Sequence, residues 1–169
     1  MEQKYMPSDR VESGGAESGE MSAIAIFRQL KAVMLDSGPE NSMPFSYVVY
    51  REHRLVISTG SDLVTWEEIK ERQDQTKTDP GFNPEFNQIV DLRAVTGFDM
   101  TSDHARLLAR RTIFSATSKR AFVAASPAVF GVGRMWEIFT ELSDNPSPIR
   151  VFYDLPSALK WLNLESLPQ

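Results

Sequence analysis

The densest group of side chains able to do chemistry is Asp99, Thr101, Ser102, Asp103 and His104. Carboxylates, hydroxyls and an imidazole are the parts of a nucleophile–base pair, but such a pair must lie within hydrogen-bond reach. His104 follows Ser102 by two residues, a spacing that does not bring two side chains together on a helix. No Gly-x-Ser-x-Gly elbow occurs in the chain. Gly131-Val132-Gly133-Arg134 lacks the third glycine of a dinucleotide fingerprint and the Lys-Ser/Thr of a phosphate loop. Its glycines are read either as close packing or a relaxed helix start, or as a backbone anion site assisted by Arg134. There is no cysteine, so disulfides and thiolate chemistry are excluded. The two histidines, His53 and His104, are far apart, which argues against a multi-histidine metal site. The reading is of a chain with no catalytic residues, no metal and no cofactor, and therefore not of an enzyme.

The elements that must position this group follow from periodicity. Phe45–Arg51 and Arg54–Ser58 are β-prone runs separated by Glu52 and His53, a natural hairpin, with Gly60 ending the second strand. Thr65 with Glu68 is a capping box, so a helix is expected from Trp66 to about Lys77. Gln88–Leu92 reads as a short strand, and Val95, Gly97, Phe98 and Asp99 as the connection to the next helix. Thr101 or Ser102 caps that helix, with Asp103 in its first turn and Ala105, Leu108, Ala109, Thr112 and Ile113 as its inward stripe. Arg120–Ala125 is a further strand. Ser126-Pro127 opens a helix whose expected buried stripe is Met135, Ile138, Phe139 and Leu142. Ile149–Tyr153 is the last strand, and Asp154 caps a helix that buries Leu155, Ala158, Leu159 and Leu162.

Strands alternating with helices imply an α/β fold with a mostly parallel sheet of about five strands, opened by an antiparallel hairpin. In open α/β sheets, ligands gather beyond the carboxyl ends of the strands. That rule places Asp99, Thr101, Ser102 and Asp103 on one rim with Ser126, Gly131, Gly133 and Arg134.

The 169 residues are 41% hydrophobic and 24% charged, which suits one globular domain plus a tail. Residues 1–20 are rich in Glu, Ser and Gly and read as a disordered tail; 21–44 read as an N-terminal helix and linker, with Ile26, Leu30, Val33 and Met34 on one helix face. That helix packs on its own domain or serves as a dimerisation or partner-docking element. The net charge of -5 argues against nucleic acid. It is uneven, however: six bases stand against one acid between Ser102 and Arg134. Solvated helix faces account for that run, and a patch for an anionic ligand or acidic protein is the alternative. No apolar run is long enough for a membrane span, and the acidic N-terminus is unlike a secretory signal, so the expected location is cytoplasmic.

Three stretches carry a family resemblance. IVDLRAVTGFDMTS, RAFVAASPAVFGVGRMWE and RVFYDLPSALKWL together resemble SpoIIAA-like proteins of the STAS superfamily, relatives of the anti-sigma-factor antagonists, over residues 45–164. The resemblance implies a compact α/β domain, a bacterial regulatory module working through protein partners or self-association. In that family a switching serine follows the Asp of an Asp-Ser-Ser-Gly turn. Here Asp99 is in place, Met100 takes the first serine position, Thr101 the second and Ser102 that of the glycine. Thr101 or Ser102 is thus the candidate for a phosphate at a helix N-terminus; helix capping alone also accounts for both hydroxyls. Other relatives resemble lipid carriers. They imply the alternative of a small apolar or anionic ligand held in a pocket lined by Phe98, Phe130, Met135 and Trp136.

Overall fold

The computed structural model describes residues 44–111, 113–144 and 146–168. The expectations for the N-terminal tail, helix and linker, Pro44 apart, and for Thr112 lie outside the described residues.

A hairpin opens the fold. β1 (Phe45–Tyr50) pairs antiparallel with β2 (Leu55–Thr65). Arg54, at φ 50°, takes the left-handed position that closes the four-residue loop. β2 then lies parallel to β3 (Asn87–Asp99), β3 to β4 (Arg120–Val123), and β4 to β5 (Ile149–Phe152), in the order β1-β2-β3-β4-β5. Four helices connect or follow the parallel strands: α1 (Trp66–Thr78), α2 (Ser102–Arg110), α3 (Pro127–Glu141) and α4 (Leu155–Leu162). This is the expected α/β class, with a mixed five-stranded sheet.

Strand alternation sorts the core into two layers. Phe45, Val90, Leu92, Phe122, Ile149 and Val151 point to one face and pack with Ile69 of α1, Leu108 of α2, and Val129 and Trp136 of α3. Burying each such side chain contributes roughly 1.5–3 kcal/mol. On the opposite face, α4 covers β4 and β5, with Trp161 beside Phe152 at 5.8 Å between ring centroids.

Ile113 does not belong to the stripe of α2, which ends at Arg110; three further expectations need correction. Gly60 does not end β2. It lies inside the strand because an added Cβ there would stand 2.8 Å from Val95 Cγ2 and 3.0 Å from Phe45 Cδ2; glycine lets those side chains close over the backbone. The segment Val95–Asp99 is not a connection but the far half of β3, paired with β2 as far as Thr65 opposite Asp99. Two register shifts let β3 carry its extra residues there. The third correction concerns α3, whose buried face is Val129, Gly133, Trp136, Glu137 and Thr140. Ile138 is 47% exposed and Leu142 79%, while Met135 and Phe139 are half-buried. The expected stripe is the more apolar one, since the buried face includes Glu137 and Thr140. What selects the true face is Gly133, the position where Val151 comes within 3.1 Å of any added Cβ. Continuous helix through Gly131 and Gly133 also removes the reading of a relaxed helix start.

Candidate functional site

The ends of β2 and β3 lie side by side, so α1 and α2 begin next to each other. Both beginnings are capped by threonine. The Thr65 hydroxyl accepts from the Glu68 N–H at 3.3 Å, and the Glu68 carboxylate accepts from the Thr65 N–H at 2.8 Å. In α2, the Thr101 hydroxyl accepts from the His104 N–H at 3.2 Å, and Nδ1 of His104 accepts from the Thr101 N–H at 3.4 Å. Histidine thus plays the reciprocal part that glutamate plays in α1. Its ring stacks on Trp66, the first residue of α1, with centroids 4.9 Å apart and planes 19° from parallel. One imidazole therefore ties the two helix starts together.

Around this anchor the polar side chains face solvent. Asp99, Thr101, Ser102 and Asp103 are all exposed. Asp103 pairs with Arg106 at 2.9 Å across one helical turn. Met100 is partly buried against the core. Thr101 is the N-cap, so its hydroxyl is already engaged, whereas Ser102 is the first residue of α2 and exposed. That settles which of the two hydroxyls caps the helix.

The second half of the expected rim has a different character. Ser126 does cap α3, accepting from the Val129 N–H at 3.2 Å. Gly131 is exposed with open space around it, but Gly133 is buried against β5. Arg134 reaches to 2.6 Å from Glu137, an ion contact without hydrogen-bond alignment. No hydrogen bond or ion pair joins Asp99–Asp103 to Ser126–Arg134 among the described residues. Sequence reasoning missed His104 as a structural clamp and Trp66 as its platform. The spacing Thr101-x-x-His104 was the available signal.

The run of bases also disperses. Arg111 turns to Asp74 and Gln73 of α1, and Arg106 lies over the Phe139 ring. Lys119 sits over Trp161. Arg120 is partly buried: its Nη2 donates to Ser147 at 2.7 Å, its Nε has no hydrogen-bond partner among the described residues, and desolvation pulls its guanidinium down to about 10, still protonated at neutral pH. Three of the four residues named for an apolar pocket are engaged in packing. Trp136 sets its edge on Phe122 at 5.7 Å, Phe130 stacks on Tyr153 at 4.0 Å, and Phe98 packs against the core. No helix among the described residues is long and apolar enough to cross a membrane, and no cluster of three metal-ligating side chains occurs among them.

No protein-family model matches the chain, and no curated protein matches it. Among solved structures, it is similar to an uncharacterised DUF3478-family protein from Shewanella loihica PV-4, described as having a SpoIIAA-like fold. The identity is 15%, the likeness covers 75% of this chain and 99% of that one, and the TM-score is 0.49.

Proposed function

We propose that this domain is a non-enzymatic regulatory module that binds another protein through the turn Asp99–Asp103. One observation carries the reading: a row of exposed polar side chains is held on a pre-ordered helix start, with His104 clamped between Thr101 and Trp66. A pre-ordered turn loses less freedom on binding, so more of its contact energy appears as affinity. Among the described residues no hydrogen bond or ion pair engages the side chain of Asp99 or Ser102, so neither needs to be polar for the fold described. The carrier alternative has less support, since Phe98, Phe130 and Trp136 are committed to the core.

Native mass spectrometry of the full chain isolated from its own source tests the reading. The expected result is a complex with a second protein that is lost when Asp99→Lys and Asp103→Lys are combined, with an unchanged circular dichroism spectrum. A small-molecule adduct held equally by both forms, with no protein bound, would contradict it.

A further inference from the structure

The outer edge of β1 has the chemistry of a pairing strand. The Pro44 carbonyl accepts from the Ser61 N–H at 2.7 Å. In an antiparallel ladder, residues that bond the neighbouring strand alternate with residues whose backbone groups face away. Stepping by two from Pro44, Ser46, Val48 and Tyr50 bond β2. Phe45, Tyr47 and Val49 direct their N–H and C=O groups to the outer edge. β1 ends the sheet, and no described strand pairs with that edge.

The two edges of the sheet are not protected alike. β5 is four residues long and carries exposed Arg150, while a proline precedes both strands, Pro148 and Pro44. Shortness and charge are usual means of blunting an edge. β1 is six residues, Phe-Ser-Tyr-Val-Val-Tyr, with no charge and an unbroken register against β2. The absence of charge matters in a chain of net charge -5, because two copies meeting here oppose no like charges.

We propose that β1 pairs antiparallel with β1 of a second copy, joining two five-stranded sheets into one. The outward set is self-complementary. A two-fold axis through Tyr47 places Tyr47 opposite its own copy and Phe45 opposite Val49 of the second copy. Every residue so matched has its backbone groups pointing outward. Such an isologous contact closes at the dimer. The side chains beneath it are already fixed, Phe45 in the core and the Tyr47 hydroxyl on Asp79 at 3.1 Å. This inference does not depend on the Asp99–Asp103 reading.

Sedimentation velocity combined with residue-resolved hydrogen exchange on the full chain tests it. As concentration rises, the chain is expected to become a dimer while the amides of Phe45, Tyr47 and Val49 gain protection. Those of Ser46, Val48 and Tyr50 stay protected throughout. Val49→Pro removes an outward donor and leaves the β2 bonds intact, so it should weaken the dimer at least about tenfold. Tyr47→Lys, which sets like charges opposite each other, should do the same should the proline variant fail to fold. A chain that stays monomeric at millimolar concentration overturns the proposal. So does a dimer unaffected by either variant, protection of the three amides in the monomer, or protection that arises only with a strand of a different protein.

Discussion

The starts of α2 and α3 are written in the same grammar, a strand, a hydroxyl cap and a helix, yet the two regions have opposite characters. At α2 the cap is followed by exposed Ser102 and Asp103, and the fold's investment is a single clamp, His104 on Trp66. At α3 the cap is followed by Pro127, Val129 and Gly133, and the helix is pressed against β5 and Phe122. A helix that must seal the sheet leaves little of its opening for a ligand. A helix that touches the core mainly through Ala105 and Leu108 can present its first turn to a partner. A polar strand–turn–helix signature thus marks a possible site, and the packing demand on the following helix decides whether it is used as one.

The largest contrast lies in the core contacts. Trp136→Ala should cost about 3–5 kcal/mol in denaturant unfolding, since Trp136 is buried edge-on against Phe122. A cost under about 1 kcal/mol, the scale of an ordinary exposed substitution, would remove the distinction between the two helices.

The glycine pair in α3 sharpens the same point. Gly133→Val forces branches into Val151 and should cost about 2–3 kcal/mol. Gly131→Ala meets nothing within 4 Å and should stabilise by about 0.5–1 kcal/mol through helix propensity. Equal effects at the two positions would mean that α3 does not lie on β5 as described.

Thr101→Ala comes next and should cost about 1 kcal/mol by removing the α2 cap. The Thr101 hydroxyl fixes the turn from which His104 projects, so the Trp66 fluorescence should shift when it is removed, although the backbone N–H that meets Nδ1 remains. An unchanged spectrum would argue that stacking survives without the cap.

The start of α4 gives the smallest effect, seen only in acid. The backbone N–H and hydroxyl of Ser157 hold the Asp154 carboxyl below the ordinary carboxylate range. A carboxyl depressed in the folded state stabilises it above the unfolded value near 4, and this contribution is lost as pH falls through the lower folded value. Asp154→Asn should therefore flatten the dependence of the melting temperature on pH below about 4. An equally steep dependence in the variant would place the acid sensitivity elsewhere.

Much of this architecture was legible in the residues. The Thr65–Glu68 capping box, Ser126-Pro127 and Asp154 located three helix starts, because caps act through neighbours three residues away. Distant partners were not legible. Gly60 resembled a strand end until Phe45 and Val95 were seen to occupy the space of its missing Cβ. The far half of β3 resembled a loop because its pairing partner, Ser61–Thr65, lies beyond that same glycine. In α3 the apolar stripe Met135, Ile138, Phe139 and Leu142 was the more regular pattern, yet the face that packs carries Gly133, Glu137 and Thr140, with Val151 against Gly133. For the site, the position of Asp99–Asp103 could be read, but the Trp66 platform could not, since stacking across two helices leaves no periodic trace.

The most direct measurement of the central claim is photo-crosslinking in the native cell, with the reactive residue placed at Ser102 in one form of the chain and at Gly131 in another. Both positions are exposed near a helix start. A discrete crosslinked protein is expected from position 102 and none from position 131. A partner captured only from position 131, or equally from both, would contradict it.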